Sequence, residues 1–91
     1  MKKNIVILAQ LFTRKPSRHG SIYRPYKIKT GYQVIIEGYG LRNIYYNSIN
    51  GIFYVKLDAG RRILEDDEVL DVFVRCGGAS SDFNSWKEEL H

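Results

Sequence analysis

The sequence predicts a small β-rich domain, all-β or β-rich α+β, in which an antiparallel sheet or barrel of five or six strands carries a short C-terminal helix. Its 91 residues are enough for a single domain, residues 1–91, and no more. Hydrophobic residues make up 44% and charged residues 26%, a composition typical of globular proteins. Short apolar runs alternate with turn signals along most of the chain, which indicates strands joined by tight connections.

The first third of the chain predicts two strands separated by a basic loop. The run from Ile5 to Phe12 is nearly all apolar, which is typical of a strand buried on both faces. A loop at residues 14–20 follows, with a proline and a glycine as its turn residues. The next run, Ile22 to Ile28, contains Pro25, which favours an edge strand because proline cannot donate to a sheet.

Two hairpins are predicted from their turn residues. A three-residue loop, Lys29-Thr30-Gly31, pairs Ile28 with Tyr32 if the glycine takes the left-handed conformation. Asn50-Gly51 is the strongest local hairpin signal in the chain and predicts that Ile49 lies opposite Ile52. This second register gives a core face of Ile44, Tyr46, Phe53, Val55 and Leu57. It gives a second, solvated or binding, face of Tyr45, Asn47, Tyr54 and Lys56.

The segment 63–75 fits either a strand or a helix. After a turn at Asp58-Ala59-Gly60, we read residues 65–68 as a solvated turn and Val69 to Arg75 as the last strand, because its valines favour strands. Apolar residues of the same segment also fit one helical face, so the alternative stays open.

A short C-terminal helix completes the prediction. Cys76-Gly77-Gly78 ends the preceding element, and a helix is expected from Asp82 to Leu90. Phe83, Trp86 and Leu90 have the spacing of one helical face, which should pack on the sheet.

Charge is distributed unevenly along the chain. Residues 1–62 carry twelve basic and two acidic residues, a net charge of +10, whereas residues 63–91 carry two basic and eight acidic residues, a net charge of −6. A basic half of this size indicates an anionic partner, provided that folding keeps the two charges apart.

The compartment is predicted from the absence of export signals and of cysteine pairs. One cysteine excludes an internal disulfide framework and favours a reducing environment. Lys2 and Lys3 before an apolar run imitate a signal peptide, but no cleavage pattern follows them. No apolar run approaches the ~18 residues of a membrane span. We therefore expect a cytoplasmic protein without a membrane partner.

Catalysis is poorly supported, and we expect a protein that is not an enzyme. His19 lies in the basic loop without a neighbouring carboxylate to orient it. Cys76 fits a buried structural cysteine better than a nucleophile. The acidic run 65–68 lacks histidine partners and the glycine of a calcium loop. No cofactor or metal is therefore expected.

Tyrosine and basic residues together predict a binding surface. All seven tyrosines lie between residues 23 and 54, interleaved with basic side chains. Exposed aromatic rings beside cations are typical of surfaces that bind single-stranded nucleic acid, free or in a ribonucleoprotein. The strand rhythm also resembles SH3-like and OB-type barrels in general, with no family motif. The expected site residues are Tyr23, Tyr45 and Tyr54 for stacking and Arg14, Arg18, Lys27, Lys29 and Lys56 for phosphates.

Two alternative functions remain open. Tyrosine with arginine is also typical of protein-binding hot spots, which fits an inhibitor or adaptor of the kind carried by phages and other mobile elements. In that case the acidic segment 65–71 faces a basic partner. A third hypothesis is that a nucleotide or other anion binds the glycine loop and the serines after it. Its candidate residues are Gly77, Gly78, Ser80 and Ser81.

Overall fold

A computed structural model describes the backbone of residues 5–6 and 17–18, and both backbone and side chains of residues 26–36 and 38–90. Within these residues the protein is a β-rich antiparallel sheet with two short helices on one face. Four strands form the main sheet: β3 (Lys27–Ile36), β4 (Gly40–Asn47), β5 (Ile52–Leu57) and β6 (Gly60–Leu64). Two two-residue strands, β1 (Ile5–Val6) and β2 (Ser17–Arg18), pair with β3.

The predicted barrel and its five or six full strands are not confirmed. The strand order is β1-β3-β4-β5-β6, with β2 also on β3, and no pairing among the described residues joins β6 back to β3. The sheet is therefore open in the described part of the chain. The predicted strand Ile5 to Phe12 is described only at β1, and the Pro25 edge lies outside the described residues.

The hairpin predicted at Lys29-Thr30-Gly31 is wrong, because β3 continues through it. Gly31 has the expected positive φ of 92°, but it forms a bulge and not a turn. Residues 30–32 lie opposite the single residue Ile44, since Lys29 pairs with Tyr45 and Gln33 with Asn43. A left-handed glycine serves both hairpin loops and bulges, so its presence alone does not distinguish them.

A buried hydroxyl group stabilises this bulge. Thr30 is 1% exposed, and its Oγ1 donates to the carbonyl oxygen of Ile44 at 2.7 Å. The Thr30 Oγ1 atom also accepts a hydrogen bond from the backbone N–H of Tyr32 at 3.2 Å. The hydroxyl thus provides the partners that the interrupted ladder lacks. Because the bulge adds two residues, Ile28 and Val34 still point to the same side of the sheet.

The turn at Asn50-Gly51 is confirmed, but its register differs by two residues. Asn47 pairs with Ile52, and Gly51 donates to the Asn47 carbonyl at 2.8 Å, so the connection is residues 48–51. The Asn47 side chain accepts from the N–H of Ile49 at 2.9 Å and thereby supports the longer turn. An even shift leaves every side chain on its predicted face. The predicted core residues Ile44, Tyr46, Phe53 and Val55 are accordingly all buried.

The strand predicted at Val69 to Arg75 is also wrong, because these residues belong to α1 (Asp66–Arg75). The Glu68 side chain accepts a hydrogen bond from the N–H of Glu65 at 2.8 Å, half of a capping box that begins the helix. Three acidic residues occupy the first turn, where the helix dipole favours them. Val69, Val72 and Phe73 form the buried stripe, whose burial outweighs the small helix penalty of valine.

The C-terminal helix is confirmed with slightly different ends. A 3-10 turn, Ser80–Asp82, leads into α2 (Phe83–Glu89), and Phe83 and Leu90 are buried as predicted. Trp86 is partly buried against the same core, and its ring lies 5.8 Å from that of Phe53 at an interplanar angle of 3°. Both helices therefore cover the face of the sheet that carries Phe53, which we call the core face.

We expect Thr30→Val to lower the free energy of unfolding by about 1–3 kcal/mol, because it leaves a buried carbonyl and a buried N–H without their partner. Thr30→Ser keeps the hydroxyl and should retain most of that stability. Urea unfolding followed by circular dichroism measures both variants. A loss in Thr30→Ser without a loss in Thr30→Val would show that the methyl group, and not the hydrogen bonds, stabilises the bulge.

Candidate functional site

The face of the sheet opposite the helices is basic, and we call it the lysine face. One cross-strand row on it runs from Lys29 through Tyr45 and Tyr54 to Ile63. Lys56 lies next to this row, opposite Arg61. The lysine face comprises Lys27, Lys29, Tyr45, Tyr54, Lys56, Arg61 and Ile63. Strands β3 to β6 contain no acidic residue, so the described strands bring only positive charge to this face.

Tyr45 and Tyr54 lie on the predicted face, but the expectation that their rings are open to solvent is wrong. Tyr45 is 8% exposed and Tyr54 is 2% exposed. The rings stack on each other, with centroids 5.6 Å apart and an interplanar angle of 26°. Alternation along a strand predicts which face a side chain occupies, but not what covers that face. In this conformation neither ring offers a free face to a base.

Cations lie over both rings. The Lys56 ammonium is 4.7 Å from the centroid of the Tyr45 ring, and the Arg61 guanidinium carbon is 5.1 Å from that of Tyr54. The negative face of an aromatic ring attracts a cation at such distances. The tyrosine pair therefore supports two cations and fixes where they lie on the lysine face. Both cationic residues are exposed.

The titration behaviour of Lys56 reflects its neighbours. Lys56 is exposed as a residue, but its ammonium group lies against the Tyr45 ring. Burial of this group lowers the pKa of Lys56. The positive charges of Lys27 and Lys29 lower this pKa further. Lys27, Lys29 and Lys56, which we call the lysine cluster, thus repel one another on one face. Burial also raises the pKa of Tyr54, against the opposing effect of Arg61.

Most of the described acidic residues lie in the helical part of the chain, and several of them pair with cations. Lys87 lies 2.8 Å from Asp66, and Arg75 lies 3.1 Å from Asp71. The remaining described ion pairs join Arg42 to Asp58 at 3.4 Å and Arg62 to Glu68 at 3.8 Å. Among the described residues, no acidic side chain lies within ion-pair distance of Lys27, Lys29 or Arg61. The fold therefore separates much of the positive charge from the negative charge.

Three of the predicted site residues cannot be placed as side chains. Arg14 and Tyr23 lie outside the described residues. Arg18 is described only as backbone in β2, where it pairs with Ile28. Its neighbour Ser17 pairs with Lys29, so β2 runs beside the lysine-bearing strand. The proposed phosphate contacts of Arg14 and Arg18, and the stacking role of Tyr23, stay predictions.

The glycines of the predicted anion loop have a structural role. The N–H of Gly77 donates to Val74 at 3.0 Å, and the N–H of Gly78 donates to Phe73 at 2.9 Å. These are the two bonds of a Schellman motif, with Gly77 at a φ of 100°. Both N–H groups are used to end α1, so they are not available to an anion. Ser80 and Ser81 are exposed in the 3-10 turn, and no side-chain cap is formed there.

Other candidate chemistry receives no positive support from the described residues. No group of three or more histidine, cysteine or acidic residues within them is arranged to hold a metal ion. Cys76 is a partly buried thiol, and His19 lies outside the described part of the chain. No helix of the described chain is long and apolar enough to cross a membrane.

Arg61 and Ile63 belong to the lysine face but were not predicted as site residues. The signal for them was present in the Asp58-Ala59-Gly60 turn, which places Arg61 opposite Lys56 once it closes a hairpin. The residues after this turn fit either a strand or a helix in the sequence, and this ambiguity obscured the short strand. The strand in fact ends at Leu64, immediately before the capping box.

Comparison of the chain with protein-family models, with curated proteins and with solved structures found no match in any of the three.

We expect Gly78→Ala to destabilise the protein by about 1–3 kcal/mol, because overpacking forces neighbouring groups to move. A Cβ atom at this position would lie 2.5 Å from the Phe73 ring. Gly77→Ala is the matched control, since its Cβ meets nothing within 4 Å and only the left-handed backbone is strained, at about 1 kcal/mol. Near-ultraviolet circular dichroism should change for Gly78→Ala alone. Unchanged aromatic signals in both variants would contradict this packing.

We expect the double variant Lys27→Gln/Lys29→Gln to raise the pKa of Lys56 towards its ordinary value. Removing two positive charges makes the protonated ammonium less unfavourable, so it keeps its proton to higher pH. A pH titration of the lysine side-chain resonances by NMR measures the change. Arg75→Gln, on the helical side, is the control and should leave this pKa unaltered. An unchanged pKa in the double variant would mean that the three lysines do not interact.

Proposed function

We propose that this protein is a small, non-catalytic, cytoplasmic module that binds single-stranded nucleic acid, free or within a ribonucleoprotein, through the lysine face. The observation that carries the proposal is the lysine cluster, in which like charges are held together without an acidic residue in the same strands. Repulsion within such a cluster is relieved when a polyanion binds. Phosphates are the anions that nucleic acid presents in a regular series, and they dominate its affinity for basic proteins.

The roles of the side chains follow from their positions. Lys27, Lys29 and Lys56 contact phosphates, while Arg14 and Arg18 extend these contacts from the N-terminal part of the chain. The Arg61 guanidinium carbon lies over the Tyr54 ring, 5.1 Å from its centroid. A planar guanidinium group held in this position is suited to stacking on an unpaired base. Single strands are favoured because only their bases can reach such a plane.

The tyrosines act indirectly in this proposal. Tyr45 and Tyr54 hold Lys56 and Arg61 in position, and they do not stack on bases themselves. Phosphate contacts then dominate over base contacts. The binding should accordingly depend strongly on salt and weakly on sequence.

A protein-binding inhibitor or adaptor is the second candidate. Tyr39 and Leu41, beside the turn between β3 and β4, are 44% and 47% exposed, and exposed apolar side chains of this size favour a protein contact. The exposed acidic residues at the start of α1 would suit a basic partner. Substitution of Leu41 by Lys distinguishes the candidates, because it should weaken a protein complex but not the binding of an oligonucleotide.

We expect wild-type protein to bind a labelled 12-residue single-stranded oligonucleotide of mixed sequence at low salt, as measured by fluorescence anisotropy. The double variant Lys27→Gln/Lys29→Gln should reduce the slope of log affinity against log salt by about 1.4, the release of two counterions from a single strand. Affinity at low salt should fall by at least about tenfold.

The matched control is Arg75→Gln/Lys87→Gln, which changes the net charge equally on the helical side. It should keep the wild-type slope. The proposal fails if wild-type protein does not bind at low salt. It also fails if both double variants lose the same affinity, because binding would then follow net charge and not the lysine face. Circular dichroism confirms that both variants are folded.

A further inference from the structure

Strand β6 forms the end of the sheet in the described part of the chain. It pairs with β5 along Gly60–Leu64, and no described strand lies on its other side. No hydrogen bond found among the described residues reaches that outer edge. In an antiparallel pair, alternate residues direct their N–H and C=O groups away from the partner strand. Within the described residues, the outer edge of β6 therefore presents the unpaired backbone N–H and C=O groups of Arg61 and Ile63, the template on which an extended peptide adds as a further strand.

The side chains of β6 differ in their availability. Arg62 points to the core face and lies 3.8 Å from Glu68, whereas Leu64 is buried. Arg61 and Ile63 point to the lysine face, and Ile63 is 47% exposed. Within the described residues Arg61 has no acidic partner. A strand added to this edge would thus meet one cation and one apolar side chain, two residues apart.

Charge determines which occupant suits the edge. A second copy of the chain, paired antiparallel about Arg62, would place that arginine directly opposite its own counterpart, and like charges opposite each other are destabilising. Pairing about Ile63 would bring Glu65 opposite Arg61, but the Glu65 side chain is already used in the capping box that begins α1. A peptide with an acidic residue opposite Arg61 and an apolar residue opposite Ile63 satisfies both side chains. On an added strand these two residues also stand two positions apart, because side chains on one face alternate.

We infer that the outer edge of β6 is a docking site for an extended acidic peptide segment of a partner protein, with the pattern apolar-x-acidic. Backbone hydrogen bonds along β6 provide the affinity, and Arg61 and Ile63 provide the selectivity. This site shares Arg61 with the lysine face but uses none of the lysine cluster, and its hydrogen-bonding groups belong to the backbone of the edge strand. The module would then join a protein, held in part by Arg61, to nucleic acid bound by the lysine cluster.

NMR titration of the 15N-labelled full chain with short peptides tests the inference. A capped peptide with a central Val-Thr-Glu should shift the amide signals of residues 61–64 and slow the hydrogen exchange of Arg61 and Ile63, whose N–H groups face away from β5. The same peptide with Lys in place of Glu should bind about three- to fivefold more weakly, the effect of one exposed ion pair. Methylation of alternate backbone nitrogens on the edge-facing side of the peptide should abolish binding.

A charge exchange completes the test. Arg61→Glu should reverse the preference, so that the Lys peptide binds more tightly than the Glu peptide, whereas Arg75→Glu should leave the preference as in the wild type. The inference is overturned if the amides of Arg61 and Ile63 neither shift nor gain protection, or if they are already protected in the free protein because another segment or a second copy occupies the edge. Shifts confined to the lysine cluster and unaffected by peptide methylation would also overturn it, while leaving nucleic-acid binding intact.

Discussion

Burial of the Phe53 side chain between the sheet and the helices is the interaction on which the rest of the structure depends. Phe53 is 0% exposed, and the rings of Tyr46 and Trp86 lie 4.7 and 5.8 Å from its ring. A buried aromatic side chain of this kind contributes about 3–5 kcal/mol. Because the helices pack on the face that carries Phe53, they cover one side of the sheet only. The acidic residues of the helices are thereby confined to that side.

Separation of charge follows from this one-sided packing. The strands carry basic residues on both faces, but their surroundings differ. Arg42 and Arg62, which alternate with the lysine-face positions, are the strand cations that pair with Asp58 and Glu68. Lys27, Lys29 and Arg61 lie on the opposite face, away from the acidic helices. Alternation along four strands thus converts a chain with a basic and an acidic part into a domain with a basic and an acidic side.

Sequence patterns predicted the faces of the sheet better than its connections. Ile44 and Phe53 were placed correctly because an error of two residues in the hairpin preserves every face. The bulge at Gly31 was mistaken for a turn, since the residue that distinguishes them is Thr30, whose hydroxyl acts only in the folded sheet. Helix α1 was mistaken for a strand because burial of its stripe against the sheet is a tertiary effect. The exposure of Tyr45 was unpredictable for the same reason.

The burial of the tyrosine pair changes what kind of recognition the lysine face supports. An open tyrosine ring would bind a base through about 1–3 kcal/mol of stacking. A covered ring instead contributes by attracting a cation, at about 0.5–1 kcal/mol for an exposed site. Each tyrosine thus contributes less directly, but it fixes a side chain that would otherwise lose rotamer entropy on binding. In the proposed complex, Lys56 and Arg61 would therefore be preorganised for an anionic ligand. The lysine face is accordingly better suited to a phosphate backbone than to the recognition of individual bases.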